Sequence, residues 1–265
     1  MQVLLPLVLL LLVPVLSSIV HADQTFNFVG DVGCSTSKGK AVLSALKKDG
    51  HFTFILGDTS YKNSITCFTN AAKGLKYYVI MGNHDAQKSK ISKYIKDNLT
   101  PIKGKTFWSI TMGNVTFYGF DKNVSWKTGS PQYNIMNRTT STVDTPFKVA
   151  LTHQLFNTYQ VLGGHKAEKG YLATYEDMFL NNNVTTIIQA HNHVRGIQNN
   201  VDLNYLICGQ GGKGGDKVGE HDAWISTGAT PYGYCQVTFN NNGNVEVQMK
   251  DTDNKNVGEA IILNG

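Results

Sequence analysis

Arginine is nearly missing from this chain: Arg138 and Arg195 stand alone, and lysine carries almost all of the formal net charge of +5. No Lys/Arg cluster alternates with aromatic residues, so the basic, stacking surface that nucleic acid requires is absent and no nucleic-acid partner is expected. The mild positive field that remains suits anionic substrates in general. Also missing are an internal repeat and a linker-like break, so the 265 residues read as one large domain or two small ones. The glycine-rich stretch Gly209-Gln210-Gly211-Gly212-Lys213-Gly214-Gly215 lacks the Lys-Ser/Thr that would make it a P-loop, and it reads as a flexible loop near the functional site.

One long apolar run is present, Val3–Val20, broken by Pro6 and Pro14 and without Lys or Arg ahead of it. It ends in Ser17-Ser18-Ile19-Val20-His21-Ala22, which places small residues at Val20 and Ala22, the −3 and −1 positions of a signal-peptidase site. Residues 1–22 therefore read as a signal peptide and residues 23–265 as a single exported domain, secreted or extracytoplasmic. The competing reading is an uncleaved membrane anchor, since roughly 20 apolar residues suffice to span a bilayer. With the leader removed, no stable membrane contact is expected. Export makes disulfides the expected state of Cys34, Cys67, Cys208 and Cys235, with three pairings open. Cys34 and Cys67 each follow a candidate ligand loop within a few residues, which favours Cys34–Cys67 and Cys208–Cys235. Sequons at Asn98, Asn114, Asn123, Asn137 and Asn183 fit a glycosylated surface.

The apolar pattern predicts strand, helix and strand in succession at the N-terminal end, and so a parallel sheet. Phe26–Val29 ends in Gly30-Asp31-Val32-Gly33, Phe52–Leu56 in Gly57-Asp58-Thr59-Ser60-Tyr61, and Tyr77–Met81 in Gly82-Asn83-His84-Asp85. Helices are expected at Lys38–Lys48 and Ser89–Asn98. A hairpin follows, Phe107–Met112 and Val115–Phe120 about Gly113-Asn114. Residues 121–146 read as a long polar surface excursion. Phe147–Leu151 delivers Thr152-His153, a helix near Tyr171–Leu180 follows, and Thr185–Gln189 delivers Ala190-His191-Asn192-His193. The final third is β-rich. Two mixed sheets packed together between helices account for this order, an α/β four-layer sandwich.

Five strand ends thus carry metal-ligand residue types: Asp31, Asp58 with Tyr61, Asn83, His153, and the His191/His193 pair. Strand ends on one sheet edge converge, so ligands distant in sequence can share one site. Seven are too many for one tetrahedral zinc. They suit two ions about 3.5–4 Å apart with a shared carboxylate, the arrangement that clamps an in-line phosphoryl displacement.

The blocks Asp31-Val32-Gly33, Gly57-Asp58-Thr59-Ser60-Tyr61, Gly82-Asn83-His84-Asp85, Ala150-Leu151-Thr152-His153 and Ala190-His191-Asn192-His193, in this order, resemble the calcineurin-like metallophosphoesterases, and within them the purple acid phosphatase branch. Ala190 departs from the family's Gly, and its extra methyl is expected to shift that loop slightly. Gly33 stands where most of the family has a metal-binding His, and Tyr61 where the purple branch has a phenolate ligand, which favours ferric iron. The resemblance implies Asp31, Tyr61 and His193 on Fe(III), Asp58 bridging, and Asn83, His153 and His191 on a divalent ion, Fe, Zn or Mn. It implies an acid phosphatase that hydrolyses small phosphorylated substrates, phosphate monoesters, by in-line attack of a metal-bound hydroxide, with a preference for acidic solution.

His84 resembles the family's His that protonates the leaving alkoxide or stabilises the phosphate, and His165 a looser, substrate-facing counterpart, so both are catalytic candidates. Asp85 either orients His84 or ties down its own loop. Arg195 reads as an exposed strand arginine or a phosphate-steering one. His221, Asp222 and Trp224 are weaker candidates near the mouth. Two alternatives stay open: a phosphodiesterase or nucleotide-cleaving enzyme on the same scaffold, and a non-catalytic surface glycoprotein with metals as structural ties.

Overall fold

The computed structural model describes residues 22–158, 161–162, 164–218, 225–226 and 232–264. Along the chain come β1 (Gln24–Val29), α1 (Ser37–Asp49), β2 (Phe52–Ile55), α2 (Thr66–Ala71), β3 (Tyr77–Val79), α3 (Asn83–Ala86) and α4 (Ser89–Asn98). The hairpin β4 (Trp108–Met112) and β5 (Val115–Gly119) precedes α5 (Pro131–Thr142), β6 (Phe147–Leu151), β7 (Val161–Leu162), α6 (Tyr171–Asn181) and β8 (Thr186–Gln189). Then follow β9 (Arg195–Gln198), β10 (Asn204–Cys208), β11 (Lys217–Val218), β12 (Ile225–Ser226), β13 (Gly233–Phe239), β14 (Asn244–Asp251) and β15 (Ile261–Asn264).

Among the described residues these strands form a six-stranded sheet, β15-β14-β13-β1-β2-β3, a seven-stranded sheet, β12-β9-β10-β8-β6-β5-β4, and a small ribbon of β7 with β11. Strands β1, β2 and β3 run parallel, as do β5, β6, β8 and β10. Side chains alternate across each strand, so neighbouring residues of β1 serve opposite faces. Phe26, Phe28 and Phe54 face the second sheet, where Phe117 packs with its ring centroid 4.5 Å from that of Phe54. Val29, Ile55 and Val79 face outward onto Val42, Leu43 and Leu46 of α1 and Ile91 and Ile95 of α4. On the far side, Tyr118, Ala150 and Ile187 meet Met136 of α5 and Tyr175 and Phe179 of α6. The result is helix, sheet, sheet, helix, the expected four-layer sandwich.

Both favoured disulfides are formed, Cys34–Cys67 and Cys208–Cys235, each with Cα atoms 5.9 Å apart. Cys34–Cys67 joins the loop after β1 to α2, and Cys208–Cys235 joins the end of β10 to β13, crossing from one sheet to the other. Among the described residues no helix is long and apolar enough to cross a membrane.

Two expectations are corrected. The polar excursion at 121–146 contains the helix α5, started by Ser130, whose hydroxyl accepts from the Tyr133 amide, with Pro131 in the first turn. Its inner face buries Gln132, Met136 and Thr140. The second concerns Asn114, which is buried at 3% exposure while Asn98, Asn123, Asn137 and Asn183 are exposed. Asn114 lies in the turn between β4 and β5, its carbonyl accepting from the Phe147 amide and its side-chain oxygen buried, so the folded chain has no room there for a glycan.

Candidate metal centre

The carboxyl ends of β1, β2, β3, β6 and β8 all point to one edge of the sandwich. Asp31 and Asp58 sit directly beyond β1 and β2 with positive φ, 57° and 53°, and His191 beyond β8 has φ 72°. Left-handed backbone at a non-glycine residue costs about 1–3 kcal/mol, so surrounding bonds must hold it. They do: the Asp31 amide donates to the Gly57 carbonyl (3.1 Å) and the Val32 amide to the Asp58 carbonyl (3.1 Å). The His191 amide donates to Asp31 Oδ2 (2.9 Å) and the His84 amide to Asp58 Oδ1 (2.9 Å). Glycines give the loops their clearance. A Cβ on Gly82 would run into Asp58 Oδ1, and one on Gly57 would lie 2.7 Å from His153 Nδ1.

The donor atoms fall into two groups. Tyr61 Oη donates to Asp31 Oδ1 at 2.8 Å and lies 3.3 Å from His193 Nε2, which is itself 3.6 Å from Asp31 Oδ1. His153 Nε2 lies 3.0 Å from Asn83 Oδ1 and 3.1 Å from His191 Nδ1. Asp58 stands between them, with Oδ1 3.5 Å from His153 Nε2. Asp31, Asp58 and His153 are fully or almost fully buried, and their donor atoms lie within 4.8 Å of one another.

Charge in this pocket is distributed by burial and by the carboxylates. Burial pushes Asp31 up, but the bond from His193 and the charges of His153, His193 and His191 outweigh it, holding the carboxyl down at about 2. Burial pushes His193 down, yet Asp216 and Asp31 hold its imidazolium to about 10. His153 is likewise raised against its burial by Asp58 and Asp31, while burial beside His153 drops His191 to about 3. Burial and the two carboxylates drive the Tyr61 phenol far above its usual range. Protons on histidines thus balance the buried carboxylates, and a site that collects cations in this way fits metal ions. Its donors are carboxylate, imidazole, amide and phenol, suited to hard and borderline ions.

His84 also reaches the site. Its side chain is 41% exposed, with Nε2 3.9 Å from Asp58 Oδ2 and its ring 4.7 Å from the Tyr61 ring. Asp85 does not orient it. The Asp85 carboxylate accepts from the Thr59 hydroxyl (2.7 Å) and amide (3.1 Å) and from the Gly82 amide (3.2 Å), tying the β2 loop to the β3 loop. His165 stacks on His191, ring centroids 3.6 Å apart, and its amide donates to Asn192 Oδ1 (2.6 Å). Ala190 is fully buried, and its methyl occupies the space that Gly30 leaves by lacking a Cβ. Arg195 is neither exposed nor at the site: it is fully buried and donates to the Lys250 carbonyl, and burial lowers its guanidinium to about 10. His221, Asp222 and Trp224 lie outside the described residues, as do residues 1–21, where the signal peptide is expected.

Four participants were not singled out in the sequence. The Leu56 carbonyl lies 2.7 Å from His153 Nδ1, leaving Nε2 for the site. Asp216 accepts from the His193 amide (2.9 Å), with Oδ1 3.6 Å from His193 Nδ1. Asn192, between the two histidines, bridges to Thr158 and His165. Lys213 places Nζ 4.8 Å from the centre of the Tyr61 ring. Asn192 had a signal in its place inside the His-x-His block, and Lys213 in the glycine-rich loop read as near the site.

A four-layer sandwich with buried carboxylates, histidines and an amide gathered at parallel strand ends is the architecture of a metal-dependent phosphoesterase. The chain belongs to the calcineurin-like phosphoesterase family, which matches residues 25–195. No curated protein matches it. Among solved structures, a purple acid phosphatase from yellow lupin (Lupinus luteus) seeds superposes with a TM-score of 0.79 at 15% identity, over 92% of this chain and 54% of that one. This chain therefore spans about half the length of the lupin protein. GAP50, described as the anchor in the inner membrane complex of Plasmodium, superposes with a TM-score of 0.71 at 14% identity, over 92% of this chain and 89% of that one. PhoD follows at 0.61 and 12% identity, over 92% and 68%. At these identities the likeness is one of fold.

Proposed function

We propose that this protein is an exported acid phosphatase of the purple type, hydrolysing phosphate monoesters with an Fe(III) and a divalent ion, Fe, Zn or Mn. The observation that carries the reading is Tyr61, whose hydroxyl sits 2.8 Å from Asp31 and 3.3 Å from His193. A phenol driven so far from ionisation by burial and carboxylates needs a strongly charged cation to release its proton, and ferric iron is such a cation. Asp31, Tyr61 and His193 would hold it. Asn83, His153 and His191 would hold the divalent partner, with Asp58 between the two. When bound, the ions supply a nucleophile in mildly acidic water and neutralise the phosphoryl charge.

The chain's own residues do the rest. Leu56 and Asp216 fix the rings of His153 and His193. His84, half open to solvent and 3.9 Å from Asp58, gives a proton to the departing alkoxide at Nε2. His165, stacked on His191, flanks the phosphate on the divalent side. The two disulfides support the exported setting. The fold likeness to GAP50, an anchor, favours a second reading in which the metals only tie the structure.

Absorption spectroscopy with an activity assay separates them. The purified protein should show a visible charge-transfer band that Tyr61→Phe abolishes, and it should hydrolyse p-nitrophenyl phosphate faster than the bis-ester. A colourless, fully active protein with two zinc ions would remove the ferric assignment, and a metal-loaded protein inert to both esters would favour the anchor reading.

A further inference from the structure

The glycine-rich segment 209–215 does not hang free; it is laid across the strand ends that form the metal centre. The Gly209 amide donates to the Val194 carbonyl (3.0 Å), Gly211 to Gly30 (3.0 Å) and Lys213 to Asp31 (3.1 Å). The Thr36 hydroxyl donates to the Gly212 carbonyl at 3.1 Å. This approach depends on Gly33, where a Cβ would lie 2.8 Å from the Gly212 carbonyl oxygen and 2.9 Å from Lys213 Cα. A histidine at that position would push the segment away.

Lys213 is delivered by this path to the open side of the centre. The residue is exposed, and its ammonium stands 4.8 Å from the Tyr61 ring centroid. Beside the same loop, Lys88 Nζ donates to the Ser60 carbonyl (2.9 Å). Ser60 directly precedes Tyr61, so this bond sets Lys88 on the Tyr61 side of the centre. Among the described residues neither ammonium is paired with a carboxylate. Each retains donors, and both stand near the Tyr61–His84 pair that flanks the site.

We propose that Lys213 and Lys88 form a cationic rim that binds a second anionic group on the substrate. The preferred class is then a phosphate ester carrying another phosphate or a carboxylate close to the ester. The inference rests on the phosphatase reading of the same site. A charge-assisted hydrogen bond is weakened by solvent at an exposed rim, so each lysine should contribute about threefold to tenfold in affinity.

Calorimetric binding of phosphonoacetate, which carries a second anion, and methylphosphonate, which does not, to the metal-loaded protein tests this. Wild type should prefer phosphonoacetate. Lys213→Met and Lys88→Met should each weaken phosphonoacetate about threefold to tenfold and methylphosphonate less than about twofold. Lys213→Arg should restore most of the loss. Lys213→Met should also shift the visible band, because a cation over the ring face stabilises phenolate charge. Equal weakening of both ligands, or of neither, overturns the rim. Failure of the phosphatase reading looks different: wild type would discriminate between the phosphonates as described yet hydrolyse no phosphate ester.

Discussion

The His84 imidazole, 41% exposed and 3.9 Å from a buried carboxylate, is placed to pass a proton outward, as the proposed ligand histidines are not. His153 and His191 are buried and engaged with each other, and His193 faces Asp31 and Asp216. His84→Ala should therefore keep both metals and the fold while losing about 10²–10⁴-fold in rate, the usual contribution of a positioned acid or base. The loss should be greatest on alkyl phosphates, whose alkoxides need a proton, and smaller on p-nitrophenyl phosphate, whose leaving group departs as an anion. Steady-state kinetics on the two esters with metal analysis decides it; equal rates for variant and wild type would remove His84 from the mechanism. Residues of this kind were legible because each stands at the end of an apolar run. Asp216 was not, and Lys213 was legible only as part of a loop near the site, since the crossing of segment 209–215 over the strand ends gives both their places. Nor did the sequence distinguish the two tasks of Asp85, which the Thr59 and Gly82 bonds decide.

Helix α1 shows how an element is held in register by its last residue. Asp49 accepts from Asn27 of β1 (2.7 Å), from Tyr234 (2.9 Å) and Gln236 (2.9 Å) of β13, and pairs with His51 (2.6 Å). Burial opposes ionisation there, but the bonds from Asn27, His51 and Tyr234 outweigh it and lower the carboxyl below its ordinary value. A depressed carboxyl stabilises the fold above the unfolded pKa, about 3.9, and that contribution is lost as pH falls through the folded value. Asp49→Ala should thus cost about 1–3 kcal/mol at pH 7, and the gap to wild type in urea unfolding should narrow below about pH 4. A gap that stays constant or widens on acidification would contradict the assignment.

The sequence pattern placed most elements well, including α4 at Ser89–Asn98 and β6 at Phe147–Leu151, because their buried faces repeat at helix or strand spacing. It missed α5, where Asn137-Arg138-Thr139-Thr140-Ser141-Thr142 has little helical preference and Met136 is the one apolar anchor fully buried. The Ser130-Pro131 start was readable. Strands β7, β11 and β12, two residues each, owe their form to pairing with distant partners.

At the scale of the whole molecule, two sheets converge their parallel strand ends on one edge, and the Cys208–Cys235 bridge ties one sheet to the other behind it. Segments from β1 to β8 contribute, so the centre reports on the integrity of the entire sandwich. In the proposed centre the donors divide into two groups about Asp58, each of which would hold an ion. The most direct test is metal stoichiometry by plasma mass spectrometry on wild type and Asn83→Ala, measured beside phosphatase activity. About two ions are expected per wild-type chain, one of them iron, and about one in Asn83→Ala, iron retained and activity lost. A fully active wild type with one ion or none per chain, or an Asn83→Ala variant with both ions and full activity, would contradict it.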